Sequence, residues 1–416
     1  MSRDFQPLQG MSDLSGTEVL RWQRLEDFAH RHFARFGFGE LRTPLLEKSE
    51  VFLRSLGDTT DVVQKEMYAF EDRGGRAVAL RPEGTAGVVR HVAGLGEEGL
   101  ASKFYYVGPM YRCERPQAGR KREFHQIGVE AFGAPNPLAD AEVIALQVQL
   151  LEGWGLANSV IKINTRGAQE EHQAVREGLR SALLPFRDEL CEDCQRRVDE
   201  QVLRVLDCKV PGCMEVVSRI PSMLSFMSAE SKQYLDEVLA ALEALGVRAE
   251  YDASLVRGLD YYEHTVWEIT HEALGAQNAL AGGGRYRVRM GKKGIPGVGF
   301  GIGVERVLSA LEASGSWLFD APQAEGFWLV SLGEKALRAN IELAMLLRKK
   351  GFRCGMELQV KSMKAQLRKA DRFGANVALI RGDDELQARR ILVKDLIESN
   401  QEECDLASWL GSLEGE

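Results

Sequence analysis

Two strand-like segments joined by a basic loop carry side chains that could bind a phosphorylated ligand. The period of two along a strand places Met110, Arg112 and Glu114 on one face of the first segment. The second segment presents four residues on one face: Phe124, Gln126, Gly128 and Glu130. The loop between them holds four cations: Arg115, Arg120, Lys121 and Arg122. Arginine can grip a phosphate and phenylalanine can stack on a base, so the hairpin suits a polyphosphate and a flat ring. A solvated hairpin with a charged tip would have the same composition.

Two further polar segments admit both a binding role and a structural one. Glu83 and Thr85 stand just before a helix-like run at 86–92, where they could contact a ligand or cap the helix. Further on, a cation, a carboxylate and two phenols precede a predicted strand at 265–269: Arg257, Asp260, Tyr261 and Tyr262. The structural alternative here is a surface ion pair between Arg257 and Asp260, which would contribute little stability.

Glycines form the third pattern. Gly282, Gly283 and Gly284 precede Arg285 and Tyr286. Four more glycines alternate just before Glu305 and Arg306: Gly297, Gly299, Gly301 and Gly303. If that run is a strand, all four lie on one face, and the bare strip could accept a flat ring or a closely packed helix. The spacing matches neither the dinucleotide-binding fingerprint nor the phosphate-binding loop, so a nucleotide would need a different scaffold.

The cysteines suggest a metal site only weakly. Cys191 and Cys194 form one pair, and thirteen residues separate it from a second pair, Cys208 and Cys213. This spacing is compatible with a structural zinc ion, but the second gap is wider than the usual two residues. The sequence therefore favours reduced thiols over zinc, and no metal is predicted in the binding site itself.

Composition and charge describe an ordinary globular protein. The chain has 416 residues, 44% hydrophobic content and a formal net charge of −8, which excludes a disordered or disulfide-stapled chain. Seven cysteines and an N-terminus without an apolar signal segment predict a reducing, cytoplasmic location. No apolar run approaches the roughly 20 residues of a membrane span.

Hydrophobic periodicity divides the chain further. It predicts a helix at 18–34, a strand pair at 104–114 and 123–132, and a helical insertion at about 168–246. After a linker, strand and helix alternate in a small α/β region with a strand at 327–331. Between Arg338 and Lys394 this region has 14 Lys and Arg against 6 Asp and Glu.

One helix of that region carries two predicted stripes. Lys361, Lys364, Arg368 and Arg372 form a basic stripe that either faces phosphate or is simply solvated. Met363, Leu367 and Ala370 form an apolar stripe that is expected to be buried.

Taken in order, these segments resemble the histidyl-tRNA synthetase family of class II aminoacyl-tRNA synthetases. Residues 38–44, 111–130 and 299–306 resemble the three class II motifs, and residues 255–262 and 281–286 resemble the two motifs specific to histidine. The resemblance implies an α+β fold: a catalytic domain at 1–320, with an antiparallel class II sheet, flanking helices and the helical insertion, and an α/β anticodon-binding domain at 325–416.

The resemblance also implies roles for single residues. The residues expected to bind histidine are Glu83, Thr85, Gln126, Glu130, Tyr261 and Tyr262. The residues expected to bind ATP are Arg112, Glu114, Phe124 and Arg306. Arg112 and Arg257 would also contact substrate and would be catalytic, Arg112 by holding the α-phosphate and Arg257 by stabilising charge as the histidine carboxylate attacks phosphorus. The implied partners are tRNA(His), L-histidine, ATP with Mg²⁺ and a second copy of the chain in a homodimer, with no membrane.

One segment departs from the family pattern. Tyr286 is usually followed there by Asp-Gly-Leu, whereas this chain has Arg287, Val288 and Arg289, and the segment that follows is short. A cation near the histidine pocket could be harmless or could weaken binding. Two alternatives therefore stay open: a non-catalytic, histidine-binding paralogue that regulates histidine biosynthesis, and a class II synthetase for another amino acid.

Overall fold

The structure is a computed structural model that describes residues 5–57, 60, 62–114, 121–133, 135–257, 261–275, 278–290, 293–317 and 326–413. Three residues discussed above lie outside these ranges: Arg115, Arg120 and Asp260. The chain divides into two compact units, Met1–Phe319 and Asp320–Glu416.

The first unit contains a large sheet, a small sheet and two groups of helices. Its strands are β1 (Gly39–Glu40), β2 (Leu46–Lys48), β3 (Ala69–Glu71), β4 (Ala77–Leu80), β5 (Lys103–Tyr111), β6 (Glu123–Phe132), β7 (Val160–Thr165), β8 (Ala249–Tyr251), β9 (Tyr262–Thr270), β10 (Ala279–Met290) and β11 (Lys293–Gly303). Its helices are α1 (Thr17–Arg35), α2 (Ser49–Leu56), α3 (Thr85–Leu95), α4 (Pro137–Trp154), α5 (His172–Leu183), α6 (Glu192–Glu200), α7 (Leu203–Leu206), α8 (Pro211–Arg219), α9 (Ala229–Ala244) and α10 (Val304–Ala313).

The strands of the large sheet lie in the order β1-β5-β6-β11-β10-β9-β7-β8. Neighbouring strands are antiparallel through the middle of the sheet, and only the edge pairs β1–β5 and β7–β8 are parallel among the described residues. Strand β6 spans Glu123–Phe132, as the sequence predicts. The predicted α+β class, an antiparallel sheet with flanking helices, is confirmed.

Helices α1, α4, α9 and α10 contribute to the apolar core on one face of this sheet. In α1, Leu25, Ala29 and Phe33 follow one another at a spacing of four, so a single stripe of the helix is buried. Asn136 caps the N-terminus of α4, where its side chain accepts a hydrogen bond from the Ala139 N–H. The result is one continuous core behind the strands that carry the candidate site.

The opposite face carries the candidate site. Helix α3 packs Val88, Val89 and Val92 against side chains of this face, including those of Tyr106 and Tyr286. The small sheet has the strand order β2-β4-β3, and its strands are close to α2 and α3 in the sequence. The packing of α3 places its first residue, Thr85, beside Glu130 of β6 in the large sheet.

Helices α5 to α8 form the greater part of the insertion and have their own apolar cluster. Leu179 and Leu183 of α5 pack with Val198 of α6, Val205 of α7 and Val216 of α8. Helix α9, in contrast, sends Leu235, Val238 and Leu242 into the main core. The insertion thus has a separate interior and is anchored by its last helix.

The second unit is a small α/β sandwich. Its elements are β12 (Phe327–Ser331), α11 (Glu334–Lys349), β13 (Cys354–Met356), α12 (Met363–Phe373), β14 (Val377–Arg381), α13 (Asp383–Ala388), β15 (Arg390–Asp395), β16 (Gln401–Asp405) and α14 (Leu406–Ser412). The strands lie in the order β13-β12-β14-β15-β16, with β13, β12 and β14 parallel and the others antiparallel.

The apolar stripe predicted for α12 is buried only in part: Ala370 and Leu367 pack in an apolar cluster, and Met363 does not. Met363 is 46% exposed and Leu367 is only half-buried, whereas Ala370 is buried. The inward position is taken by Gln366, whose amide bonds both the N–H and the carbonyl of Ser331. Gln366 and Ala370 are four residues apart and share the buried face. Met363, three residues before Gln366, lies on the same side of the helix, but it is the first residue of α12 and stays exposed at the helix end. The basic residues predicted beside it, Lys361, Lys364, Arg368 and Arg372, are exposed.

A buried ion pair joins the sheet of the first unit to its helices. The carboxylate of Asp140 in α4 accepts hydrogen bonds from the Arg285 guanidinium in β10, with Nε at 2.9 Å. It also accepts from the Thr265 hydroxyl of β9 at 2.6 Å and from the Tyr234 hydroxyl of α9 at 3.1 Å. Both oxygen atoms of this carboxylate thus accept hydrogen bonds inside the protein. Two helices and two strands meet at the single Asp140 carboxylate.

We expect Asp140→Ala to lower the free energy of unfolding by about 3–5 kcal/mol, because it leaves the Arg285 guanidinium buried without its counter-ion. The matched control is Asp199→Ala, which removes an exposed carboxylate that also pairs with two arginines, Arg180 and Arg187. That change should cost less than about 1 kcal/mol. Urea unfolding of both variants measures the difference, and equal losses would contradict the role given to Asp140.

Candidate active site

Three glycines stand side by side across the middle of the large sheet. The strand registers align five residues in one row: Tyr106, Gly128, Gly301, Gly282 and Glu268. The row thus runs from β5 through β6, β11 and β10 to β9. Side chains are missing from its three central positions, so the backbone itself forms the floor of the site.

Large side chains from both ends lie over part of this floor. A Cβ added to Gly128 would collide with the Tyr106 ring, and one added to Gly282 would collide with the Arg257 guanidinium. At Gly301 the nearest atom would be Gln126 Nε2, at an ordinary 3.5 Å. Gly128 is required by close approach, because the Phe300 carbonyl oxygen would also lie 2.6 Å from its Cβ. A Cβ at Gly282 would displace the Arg257 guanidinium, whereas Gly301 marks the open middle of the floor.

A buried carboxyl group lies beside the floor, on β6. Glu130 accepts hydrogen bonds from the Thr85 hydroxyl at 2.6 Å and from the Tyr286 hydroxyl at 2.7 Å. A Cβ on Gly299 would overlap its Oε2, so this strand neighbour must be glycine. Burial raises the pKa of Glu130 to about 8, and it outweighs the two hydroxyl donors, which lower the pKa.

A second buried carboxylate, Glu83, holds the start of α3. It accepts from the Thr85 N–H at 2.6 Å and from the Ala86 N–H at 2.8 Å. This is the helix-capping role that the sequence left open as an alternative. Burial raises the pKa of Glu83, while the two backbone donors oppose that shift. Since Thr85 also bonds Glu130, both carboxyl groups belong to one network.

Arg257 lies beside Glu268, the last residue of this row. Its Nη1 lies 3.2 Å from Glu268 Oε2, and the guanidinium lies over Gly282. Burial lowers the pKa of Arg257, but the nearby Tyr262 and Glu268 more than compensate and raise it, so the group stays charged. Asp260, the partner considered from sequence, lies outside the described residues.

Two tyrosines line the space between the carboxyl cluster and Arg257. The rings of Tyr261 and Tyr262 are 4.7 Å apart, and Tyr261 lies 5.6 Å from Tyr286. Burial raises the pKa of Tyr262, so its hydroxyl stays protonated and can donate a hydrogen bond. The predicted residues of this end are thus brought together around one recess.

At the hairpin end, Arg112 is fixed against its neighbours. Its Nε donates to the Pro82 carbonyl at 2.9 Å, its guanidinium lies 5.2 Å from the centre of the Phe124 ring, and Nη1 is 3.8 Å from Glu114 Oε1. The predicted extension of the strand to 114 is wrong, since β5 ends at Tyr111. The Cys113 N–H donates a hydrogen bond to the Glu66 carbonyl instead of to strand β6. Arg112 and Glu114 therefore lie in the segment after β5 and not on a face of the strand.

Gln126 and Arg306 complete the predicted set. The buried Oε1 of Gln126 has no hydrogen-bond donor within the described part of the chain, and a buried acceptor left in this state is costly. Arg306 is in the first turn of α10, and its side chain passes over Gly303. A ligand on the glycine floor could donate to Gln126 and meet the Arg306 charge.

Sequence reasoning assigned no site role to Tyr106, Tyr286 or Glu268. Tyr286 stands inside the motif at 281–286, and Glu268 lies in the predicted strand that follows the motif at 255–262, so the sequence position of both residues indicated the site. Tyr106 had no such signal, because only the pairing of β5 with β6 shows that its ring covers Gly128.

Arg287, where the sequence departs from the family pattern, lies on the face of β10 opposite the candidate site. Arg287 pairs with Glu263, with Nε 3.1 Å from Oε2, whereas its neighbour Tyr286 bonds Glu130 in the site. Adjacent residues of a strand point to opposite faces. The new cation is therefore paired on the far side of the strand from the Glu130 cluster.

Comparison with known proteins identifies the family of the chain. The family model described as histidyl-tRNA synthetase matches residues 10–307, and the anticodon binding domain matches residues 327–414. The chain belongs to the histidyl-tRNA synthetase family. It is 45% identical over 414 residues to the histidine--tRNA ligase of Geobacillus sp. (strain WCH70), with 97% of each chain covered. It is 41% identical over 416 residues to that of Halothermothrix orenii, with 99% of each covered.

A solved structure shares this fold. The crystal structure of apo S. aureus histidyl-tRNA synthetase matches with a TM-score of 0.80 and 31% sequence identity, over 98% of this chain and 99% of the other. Within the part of the chain that the structure describes, no helix combines the length and apolar character that a bilayer span requires.

The raised pKa of Glu130 makes folding stability depend on pH. A carboxyl group whose pKa is higher in the folded state contributes stability below pH 4.5, and this contribution is lost as the pH rises through about 8. We expect the wild type to lose about 2 kcal/mol more unfolding free energy between pH 6 and pH 9 than Glu130→Gln does. Urea unfolding across that range measures the slope. An exposed control, Glu312→Gln, should keep the wild-type slope, and parallel curves for wild type and Glu130→Gln would contradict the buried-acid assignment.

Proposed function

We propose that this chain is a histidine--tRNA ligase, which joins L-histidine to tRNA(His) through a histidyl-adenylate. The reaction consumes ATP and releases pyrophosphate and AMP. The observation that carries the proposal is the similarity to histidine--tRNA ligases over nearly the whole chain. The glycine floor, with a carboxyl cluster beside it and fixed arginines at both ends, supports it.

Histidine would occupy the recess between Glu130 and Arg257. Glu83, Glu130 and the Tyr262 hydroxyl suit its α-ammonium group and imidazole, and Tyr261 would line the same recess. Gln126 Oε1, which accepts no hydrogen bond from any residue that the structure describes, supplies a further acceptor. Thr85 would act through Glu130, because its hydroxyl fixes one carboxylate oxygen. A cation held by Glu130 would displace the proton that burial keeps there.

ATP would lie at the hairpin end of the same floor. Phe124 would stack on adenine, with Glu114 at the edge of the base. Arg112 would hold the α-phosphate, and its bond to the Pro82 carbonyl keeps its guanidinium in place before the ligand arrives. Arg306 would meet the γ-phosphate. Mg²⁺ would enter with ATP and neutralise charge on the phosphates.

In the first step, a carboxylate oxygen of histidine would attack the α-phosphorus, and the bond to the pyrophosphate oxygen would break. Negative charge grows on the α-phosphate oxygens as this happens, and Arg112 and Arg257 would stabilise it. Because Glu268 holds Arg257 over Gly282, little reorganisation is required. In the second step, a hydroxyl of the terminal tRNA ribose would attack the histidyl carbonyl and release AMP.

The second unit would bind the anticodon part of tRNA(His). The exposed cations of α12 offer contacts for phosphate: Lys361, Lys364, Arg368 and Arg372. We further propose a homodimer, as the family motif at 38–44 implies, a domain boundary between 320 and 325, and action in the cytoplasm, where tRNA is charged. None of the described residues favours the regulatory alternative, because Arg257, Tyr261 and Tyr262 are all retained.

The test of the function is ATP–pyrophosphate exchange without tRNA, with each of the twenty amino acids in turn. We expect exchange with histidine alone, because the recess offers carboxyl groups and a phenol to an imidazole. Exchange with another amino acid would reassign the specificity. No exchange with any of them would favour the non-catalytic regulator.

Arg257→Ala should slow histidine-dependent exchange by about 100-fold or more, because the lost charge acts mainly in the transition state. Histidine affinity, measured by calorimetry without ATP, should fall by less than about 5-fold. Arg287→Ala is the matched control, since Arg287 is a paired arginine on the other face of β10. Equal losses in rate and in affinity for Arg257→Ala would show a ground-state contact instead.

A further inference from the structure

The insertion brings together two pairs of cysteines that thirteen residues separate in the sequence. The sulfur atoms of Cys191, Cys194, Cys208 and Cys213 all lie within 4.8 Å of one another. Cys194 and Cys213 are fully buried, and Cys191 and Cys208 are half-buried. All four are free thiols, and Cys191 Sγ is 4.0 Å from Cys208 Sγ, about twice the length of a disulfide bond.

We propose that these four cysteines bind a structural zinc ion. A tetrahedral zinc site with four thiolates at about 2.3 Å from the metal has sulfur–sulfur distances of about 3.8 Å. The cluster is already close to that size, so binding would require only small shifts of the side chains. The proposal is independent of the ligase function, because no residue of the glycine floor takes part.

The local structure explains why the wide second gap is no obstacle. Cys191 immediately precedes α6 and Cys194 lies in its first turn. Cys208 follows α7, and Cys213 lies in the first turn of α8, which Pro211 starts. The chain between Cys208 and Cys213 therefore turns a corner between two helices and returns both sulfur atoms to the same point.

A backbone hydrogen bond across the cluster also suits a thiolate ligand. The Cys191 N–H donates to Cys213 Sγ at 3.2 Å, which links the two pairs. Donors of this kind orient metal ligands and offset their negative charge. Neutral thiols in a purely apolar interior would not need such a donor.

The helical insertion is small, and a metal ion that joins its helices would stabilise it. Helices α5 to α8 span fewer than about 60 residues and form a small apolar cluster of their own. Units of that size gain little stability from burial alone and are often held by a metal or by disulfides. A zinc ion would tie the start of α6 to the segment between α7 and α8 at the edge of this cluster.

The experiment measures metal content in the full chain, expressed in zinc-supplemented medium and purified without chelators. Mass spectrometry of the metals should find about one zinc ion per chain in the wild type. Cys208→Ser should lose it. Cys404→Ser is the matched control, since it removes a half-buried thiol of the other unit and should keep the zinc. A wild type without zinc, a wild type with iron in its place, or full retention of zinc in Cys208→Ser would each overturn the proposal.

A second measurement covers the case in which Cys208→Ser fails to fold. Metal-free, reduced wild type is titrated with Co²⁺, and we expect the visible bands of a tetrahedral tetrathiolate complex at about one equivalent. Differential alkylation then follows the half-buried Cys191 and Cys208, which should react only after a chelator is added. Octahedral Co²⁺ spectra, or equal reactivity with and without the chelator, would show a cluster of thiols without a metal.

Discussion

The carboxylate of Asp140 is the interaction on which the arrangement of the catalytic unit depends. It fixes Arg285 of β10 from behind the sheet, together with Thr265 of β9 and Tyr234 of α9. Because residues alternate along a strand, a fixed Arg285 turns its neighbours Gly284 and Tyr286 to the opposite face. That face is the candidate active site. A buried ion pair on one side of β10 thus fixes which residues of this strand face the site on the other side.

The floor keeps a buried acid and a cation apart in one recess. Glu130 lies beside one part of it as a buried acid with a raised pKa, and Arg257 lies at the other end as a cation held by Glu268. An ampholyte such as an amino acid fits between such groups, with its cationic part toward the acid and its carboxylate toward the arginine. Bare glycine backbone between them leaves room for the ligand and supplies a flat surface for it.

Much of this site could be predicted from the sequence because its motifs are local. Strand β6, the alternating glycines and the tyrosine pair each occupy a short run of residues, so spacing alone predicts their shared faces. Three features could not be predicted from local spacing, because each depends on a contact with a distant part of the chain. The end of β5 depends on a bond from Cys113 to Glu66, the inward face of α12 depends on Gln366 and Ser331, and the role of Tyr106 depends on strand pairing.

The sequence by itself determined the family, the order of the elements and most of the residues that line the candidate site. Each of these depends on residue types within short segments of the chain. The tertiary structure decided which of them meet. It placed Arg287 behind β10 with Glu263, gave Arg257 its partner Glu268, and gathered two distant cysteine pairs into one cluster. Such contacts join residues from separate segments of the chain, and their geometry follows from strand register and helix packing, which no local pattern specifies.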